Sequence, residues 1–146
     1  MELQPSILLV ADDDALRDAL SEQLRRSGCE VLCVRNAVEA FAEAMRRCYD
    51  IVFVDAQMPG LSGADAIPYL NRYVQDTPIV VLSDANDVEE QRAIQRGAAC
   101  VLRKPVDARI AVDLVRLAVR QRRTRTHRRR KLRPLNLIAA WEGTPA

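Results

Sequence analysis

The sequence predicts an α/β protein in which helices cover both faces of a parallel sheet, and three observations support this class. Five short apolar segments alternate along the chain with five longer segments whose apolar residues recur with the period of an α-helix. Parallel strands need helical crossovers of this kind, and strands buried on both faces are continuously hydrophobic. The chain of 146 residues, 49% hydrophobic and 29% charged, is also long enough for one globular domain with its own core.

The elements follow in order from changes in hydrophobic period and from helix stop signals. In the first helix an apolar residue recurs every fourth position, at Leu16, Leu20 and Leu24, and charged residues such as Arg17 take the other faces. Gly28 ends this helix because glycine readily adopts a left-handed C-cap, and Gly97 does the same before the fifth strand. We predict strands over 7–11, 30–34, 51–55, 79–83 and 100–103, and helices over 14–27, 37–48, 64–75, 87–96 and from 107 onward.

The C-terminal part of the chain differs from the rest in charge. Residues 1–119 hold 13 Lys and Arg against 19 Asp and Glu, whereas residues 120–146 hold 9 against 1. We therefore predict one domain over residues 5–121 and a basic extension or linker over residues 122–146. Pro134 marks a break before the apolar segment Leu135–Trp141, which we expect to dock on a partner or on the domain itself. The chain is alternatively the N-terminal piece of a longer protein.

Several classes of protein and site are disfavoured by composition. The apolar segments are too short to span a bilayer and the N-terminus does not resemble a signal peptide, so we expect a cytoplasmic protein without a membrane partner. The four cysteines lack Cys-x-x-Cys spacing and neighbouring histidines. We expect them to be reduced, buried thiols rather than ligands of zinc or members of disulfides.

Charged residues follow three of the predicted strands. Asp12, Asp13 and Asp14 follow the first strand, Asp55 ends the third, and Lys104 follows the fifth. Ligands bind at the carboxyl edge of open α/β sheets, so we expect these groups to lie close together. Clustered carboxylates favour Mg²⁺, which commonly completes its coordination with water and phosphate oxygens, and a lysine can pair with a phosphoryl group. The pattern therefore indicates a phosphoryl site, although the acidic run has an alternative interpretation as a helix start.

Asp55 is the best candidate to receive a phosphoryl group. It ends the most hydrophobic central strand, and the loop that follows, residues 56–63, is rich enough in small residues to wrap a ligand. An aspartate acting as nucleophile needs an exposed oxygen and a cation that neutralises the incoming group. We interpret Gly60 and Gly63 in this loop as turn residues.

At these residues the chain resembles the receiver domain of two-component response regulators. The resemblance covers about residues 5–121 and rests on the acidic cluster, on Asp55-x-x-Met58-Pro59-x-x-x-Gly63, on Ser83, and on Lys104-Pro105. It implies a flavodoxin-like, doubly wound sheet of five parallel strands in the order 2-1-3-4-5. It also implies phosphoryl transfer from a histidine kinase or phosphotransfer protein to Asp55 in the presence of Mg²⁺, which makes the chain a phosphoacceptor signalling domain rather than an enzyme.

The resemblance assigns a role to each matching position. The metal is held by Asp12, Asp13, Asp55 and the backbone carbonyl of Gln57. The phosphoryl group is bound by Ser83 and Lys104, the Lys104-Pro105 peptide is a candidate cis bond, and Gln57 and Ala85 tune hydrolysis.

Two departures from the family pattern keep an alternative open. The usual spacing back from Gly28 puts Ala11 and Asp12 at the acidic pair, so one carboxylate is missing unless a one-residue shift brings in Asp13. Val101 stands where the family often has an aromatic switch residue. The alternative is a degenerate receiver that binds partners without phosphorylation. A small Mg²⁺-dependent phosphatase, suggested by Asp12-x-Asp14, is disfavoured by Leu16, which stands where such enzymes have Thr or Val.

The output is expected to be a changed interaction surface for a downstream protein around the fourth helix and fifth strand. The arginine-rich tail could contact nucleic acid through charge, but the chain lacks a recognised nucleic-acid-binding motif, so this alternative is not favoured. A homodimer is left open.

Overall fold

The computed structural model describes residues 4–74, 76–84 and 87–131 and contains the predicted alternation of strands and helices. The elements are β1 (Ser6–Val10), α1 (Asp14–Arg26), β2 (Glu30–Val34), α2 (Ala37–Arg46), β3 (Ile51–Asp55), α3 (Gly63–Tyr73), β4 (Ile79–Ser83), α4 (Asp87–Gln95), β5 (Cys100–Arg103) and α5 (Ala108–Lys131). The predicted strands are confirmed to within one residue, and the first four predicted helices extend one or two residues too far at their C-terminal ends.

The five strands form one parallel sheet in the order β2-β1-β3-β4-β5. The chain therefore crosses from one side of β1 to the other after β2, which is the strand-order reversal that creates a ligand crevice at the carboxyl edge. This confirms the predicted order and places the ends of β1 and β3 side by side, with Val10 opposite Val54.

Two hydrophobic layers cover the sheet. Side chains such as Leu8, Val52 and Val81 point to the face covered by α2, α3 and α4. Their neighbours in sequence point to the opposite face, where they pack against α1 and α5. Because alternate side chains of a strand point to opposite faces, continuously apolar strands are what this double coverage requires.

Gly28 ends α1 as predicted. It has φ +91°, its N–H donates to the carbonyl of Arg25, and the N–H of Cys29 donates to the carbonyl of Leu24, a pattern that closes the helix end. Gly97 has φ +115° and occupies the corresponding place after α4.

Helix α5 continues without interruption past residue 122 to Lys131. Within it Arg122 Nη1 lies 2.8 Å from Asp50 Oδ1, in the loop before β3. The helix thus crosses the predicted domain boundary and contacts the domain from beyond it, and the boundary stays a prediction. Pro134 and the segment Leu135–Trp141 lie outside the described residues.

All four cysteines are free thiols. Cys29 is buried and Cys33 and Cys100 are half-buried, whereas Cys48 is exposed, so the expectation of a buried thiol is wrong for Cys48. Within the described part of the chain, no helix is both long and apolar enough to cross a lipid bilayer.

Candidate phosphoryl site at the carboxyl edge of the sheet

Asp55 is the last residue of β3 and its side chain is 2% exposed. Its Oδ1 accepts two hydrogen bonds, one from the backbone N–H of Gln57 at 2.9 Å and one from Lys104 Nζ at 2.7 Å. Among the described residues no donor contacts Oδ2. One carboxylate oxygen is therefore fixed in place, and the other has no protein partner in this part of the chain.

Lys104 follows β5 and reaches across β4 to Asp55. Its side chain is 17% exposed, and its backbone N–H donates to the carbonyl of Ser83 at 2.7 Å. The peptide bond between Lys104 and Pro105 is cis. The ammonium group also lies 3.9 Å from Asp84 Oδ1, on an exposed carboxylate, so it is held between two acids at the sheet edge.

Ser83 is buried at the end of β4, beside Asp55. The register pairs Asp55 with Leu82, so Ser83 lies one residue further along the neighbouring strand. The structure thus brings Ser83, Lys104 and Asp55 to one edge, as the sequence predicts. Ala85, which we expected to tune hydrolysis, lies outside the described residues. Gln57 is exposed in the loop after β3.

The acidic run after β1 divides into residues with different surroundings. Asp12 precedes the helix and is exposed, and its carboxylate makes no hydrogen bond or ion pair to the residues that the structure describes. Asp13 is the N-cap of α1, where its Oδ1 accepts the N–H of Leu16 at 3.1 Å. Asp14 is in the first turn of α1. The helix-start interpretation therefore accounts for Asp13 and Asp14, and a metal-binding role for Asp13 stays a prediction.

Ala11 is fully buried directly after β1, and its N–H donates to the carbonyl of Val34 at 3.0 Å. This hydrogen bond extends the pairing of β1 with β2 by one residue and fixes the register of the loop. The position that begins the acidic pair in the family pattern therefore carries a methyl group here.

Arg17 is a site residue that the sequence analysis missed, and its placement on an outer face of α1 is wrong. The guanidinium group is largely buried and donates from Nη1 to the carbonyl of Ala11 at 2.8 Å and to that of Asp12 at 3.4 Å. Its Nη2 contacts the carboxylate of Asp14. Helical period cannot reveal this role, because the acceptors belong to the preceding loop. The available signal is the position of an arginine seven residues after the end of β1.

Gly63 lies under the loop that carries Asp55. A Cβ atom at this position would lie 2.4 Å from the carbonyl oxygen of Asp55 and 2.9 Å from the Cα of Ala56. The N–H of Gly63 donates to the carbonyl of Ala56 at 3.1 Å. The interpretation of Gly63 as a turn residue is therefore incomplete, since close backbone approach is what requires glycine here, whereas Gly60 has φ +79° in the turn.

An open groove lies between α4 and β5. It has a volume of about 650 Å³ and is lined by apolar and polar side chains, among them Ile94, Val101 and Cys100. Burial raises the pKa of the Cys100 thiol to about 11, and Glu90 adds a carboxylate to the lining of the groove. At the rim Arg103 donates to both carboxylate oxygens of Glu90, which ties β5 to α4.

The donor set at the edge suits a hard divalent cation. Two carboxylates, Asp12 and Asp55, and the carbonyl of Gln57 are oxygen donors, and Asp12 and Oδ2 of Asp55 have no described partners to displace. Mg²⁺ is commonly bound by one or two carboxylates and completed by water or phosphate oxygens. The described residues contain no cluster of three or more acidic, histidine or cysteine side chains suited to a metal. A site made of two carboxylates and one backbone carbonyl does not require such a cluster.

The receiver-domain family model of response regulators matches residues 7–116 of this chain. With the parallel 2-1-3-4-5 sheet and the carboxylate and lysine at its edge, this match shows that the chain belongs to the receiver domains of two-component response regulators. The general function of this family is to be phosphorylated on an aspartate, and its members generally bind Mg²⁺. Membership of this family disfavours the alternative of a small Mg²⁺-dependent phosphatase.

Individual relatives agree with this family. The chain is 34% identical over 110 residues to the response regulator protein FleR of Pseudomonas aeruginosa, and the match covers 75% of this chain and 23% of FleR. It is 31% identical over 116 residues to the sensory transduction protein RegX3 of Mycolicibacterium smegmatis, covering 80% of this chain and 51% of RegX3. The chain thus spans between about a quarter and a half of the length of these two relatives.

Among solved structures, the chain is similar to a response regulator protein from Burkholderia pseudomallei. The TM-score is 0.70 with 25% sequence identity, and the match covers 75% of this chain and 65% of that one. That crystal structure contains a phosphorylated aspartic acid, a calcium ion and citrate.

Proposed function

We propose that this chain accepts a phosphoryl group on Asp55 from a histidine kinase or a phosphotransfer protein. One observation carries the proposal: a buried carboxylate at the end of the central strand β3 is held by Lys104 Nζ at 2.7 Å through one oxygen only. The similar Burkholderia protein, which carries a phosphorylated aspartic acid, supports this assignment.

The transfer requires an attacking oxygen and a cation for the incoming charge. A carboxylate oxygen of Asp55 attacks the phosphorus of a phosphohistidine, the P–N bond breaks as the P–O bond forms, and the imidazole leaves. Lys104 then pairs with the phosphoryl oxygens, and the hydroxyl of Ser83 donates a hydrogen bond to them. Because Lys104 follows β5 and Ser83 ends β4, phosphorylation changes the contacts of both strands.

Asp12, Asp55 and the carbonyl of Gln57 are the residues that would hold Mg²⁺, and Asp13 stays a predicted additional ligand. When bound, the ion neutralises charge on the transferring phosphoryl group. Arg17 binds the carbonyls of Ala11 and Asp12, which lie on either side of the Asp12 Cα, so its role is to position Asp12 toward the edge.

The output surface is the groove between α4 and β5. It lies on the strand that carries Lys104, and its rim is tied by Arg103 and Glu90, so a movement of β5 is transmitted directly to α4. A downstream protein with a small apolar contact surface fits this groove, and Val101 leaves it without an aromatic switch. We place the protein in the cytoplasm, acting by self-catalysed phosphoryl transfer and hydrolysis rather than as an enzyme on other substrates.

The test is labelling with acetyl phosphate in the presence of Mg²⁺, followed by intact mass measurement. The wild-type chain gains the mass of one phosphoryl group, and Asp55→Asn gains none. Asp113→Asn is the matched control, because it removes an exposed carboxylate on α5 away from the sheet edge, and it is labelled like the wild type. Labelling of Asp55→Asn at the wild-type level would refute the assignment.

A degenerate receiver is the second candidate, because the fully buried Ala11 leaves one family carboxylate missing. A Mg²⁺ titration followed by NMR shifts of the Asp12 and Gln57 amides separates the two. Shifts that saturate at millimolar Mg²⁺ favour the phosphoacceptor, and Ala11→Asp then raises the affinity. The absence of binding together with the absence of labelling favours the degenerate receiver.

A further inference from the structure

The surface formed by α2 and α3 holds four of the seven large hydrophobic residues that are exposed in the described structure. Val38 is 74% exposed and Met45 65% exposed, and Tyr69 and Tyr73 are about half exposed. The half-buried ring of Phe41 contacts both tyrosines, and its centroid lies 6.1 Å from the centroid of each tyrosine ring. Aromatic residues and methionine are enriched at protein interfaces, and contiguous apolar patches on monomers mark interaction sites. We call these five residues the α2–α3 surface.

The charges on the exposed side of α2 are complementary to those on the same helix of a second copy. Val38, Ala42 and Met45 recur at intervals of four and three residues and so form a stripe along the helix. Glu39 and Arg46, seven residues apart, are both exposed on one flank of this stripe, and Glu39 Oε1 accepts the N–H of Arg35 at 3.1 Å. The helix therefore presents an acid at its start and a base at its end beside an apolar stripe.

We propose that this chain forms a dimer in which α2 packs antiparallel against α2 of a second copy, about a two-fold axis near Ala42. This arrangement puts Val38 opposite Met45 of the second copy and Glu39 opposite Arg46 of the second copy, each contact occurring twice. The small side chain of Ala42 lets the helices approach closely at the axis.

The charges on α2 favour an antiparallel pairing of this helix with α2 of a second copy. A parallel pairing of the same helices puts their charged flanks on opposite sides of the contact, so Glu39 of one copy does not meet Arg46 of the other, and it aligns the helix dipoles unfavourably. Arg46 already forms an ion pair with Glu43 of the same helix, at 3.6 Å. Because the Arg46 side chain is exposed, this ion pair is weak enough to rearrange.

The dimer leaves the output groove accessible. Helix α3 separates α2 from α4, and the groove lies between α4 and β5. The proposal therefore does not depend on phosphorylation of Asp55, and it is tested on the unphosphorylated full chain.

The test is sedimentation velocity from low micromolar to several hundred micromolar protein. The wild-type chain shows a concentration-dependent dimer. Glu39→Lys and Arg46→Glu each turn two attractive contacts into repulsive ones and raise the dimer dissociation constant about tenfold. Glu22→Lys, which changes an exposed acid on α1, is the matched control and leaves the constant unchanged.

An equimolar mixture of the two variants provides the decisive measurement. In a mixed dimer the lysine introduced at position 39 of one chain faces the glutamate introduced at position 46 of the other, and the unchanged Arg46 and Glu39 face each other. The mixture therefore associates as strongly as the wild type, even though neither variant does so alone. Circular dichroism melting confirms that both variants are folded. The proposal is overturned by a monomer at every concentration, by single variants that dimerise like the wild type, or by a mixture no stronger than its components.

Discussion

Gly63 is the residue at which a single methyl group should disturb both the fold and the phosphoryl site. In Gly63→Ala the new Cβ meets three backbone atoms at 2.4, 2.9 and 3.0 Å, and all three belong to Asp55 and Ala56. Backbone atoms at the end of a central strand cannot rotate away as a side chain does. The start of α3 must therefore move away from the end of β3.

The size of the effect follows from these distances. Carbon atoms pack best at about 3.5–4.0 Å, so α3 has to shift by about 1 Å. Overpacking of this kind costs about 1–3 kcal/mol, and the better helix propensity of alanine returns less than about 1 kcal/mol at the first helical position. We expect the free energy of unfolding to fall by about 1–2 kcal/mol, and Tm by roughly 3–8 °C for a domain of this size.

The shift should also slow phosphorylation. Gly63 donates its N–H to the carbonyl of Ala56, and the same loop places the N–H of Gln57 on Asp55 Oδ1. Moving α3 disturbs both hydrogen bonds, so we expect the rate of labelling by acetyl phosphate to fall several-fold at temperatures where the variant is folded.

The assay combines urea denaturation with labelling rates, and Gly28→Ala is the control. Gly28 has φ +91° with no atom within 4 Å of a new Cβ, so alanine there costs about 1–2 kcal/mol of backbone strain and leaves the site unchanged. A Gly63→Ala protein as stable as the wild type refutes the steric argument. A destabilised protein that is labelled at the wild-type rate refutes the link to the site.

Three further predictions concern other groups. Arg17→Met loses two hydrogen bonds to loop carbonyls and should lower the free energy of unfolding by about 2–3 kcal/mol in urea titrations, whereas Asp14→Asn, at an exposed side chain, should cost less than about 1 kcal/mol. Alkylation followed by peptide mass measurement should modify exposed Cys48 before Cys100, whose thiol has a pKa raised to about 11 by burial. Burial raises the pKa of Tyr49 from 10.0 to about 12. The neutral phenol therefore stabilises the fold fully below pH 10, and this stabilisation is lost as the pH rises through about 12. When the free energy of unfolding is measured between pH 10 and 12, Tyr49→Phe should lose less stability than the wild type.

The fold was predictable because burial dictates the strands strongly. All five residues of β3 and all five of β4 are buried, and a continuous apolar run between two helical segments is typical of a strand covered on both faces. Helix ends were less predictable. The last turn of a helix is set by caps and local contacts, and the period of the apolar residues does not specify where it stops.

Residues of the candidate site were predictable where the residue type and its position at a strand end indicate the same role. They were not predictable where one residue type serves two roles. Asp55 and Lys104 each stand at the end of a strand, so the sheet alone brings them to one edge. An acid at position 13 suits a helix cap as well as the predicted metal ligand, and only the geometry of α1 shows the capping hydrogen bond. The exposed stripe of α2 was likewise not predicted, because amphipathic period does not specify the neighbouring elements that leave Met45 uncovered.

The missing carboxylate at Ala11 changes how the remaining charges act together. Asp55 is already paired with Lys104, so Asp12 is the acid at this edge without a described partner, and the attraction for a divalent cation is weaker than three free carboxylates provide. In the proposed function, a phosphoryl group on Asp55 brings negative charge of its own and pairs with Lys104. Mg²⁺ binding and phosphorylation of Asp55 then each supply the charge that the other requires, and by linkage each should favour the other at equilibrium by the same factor.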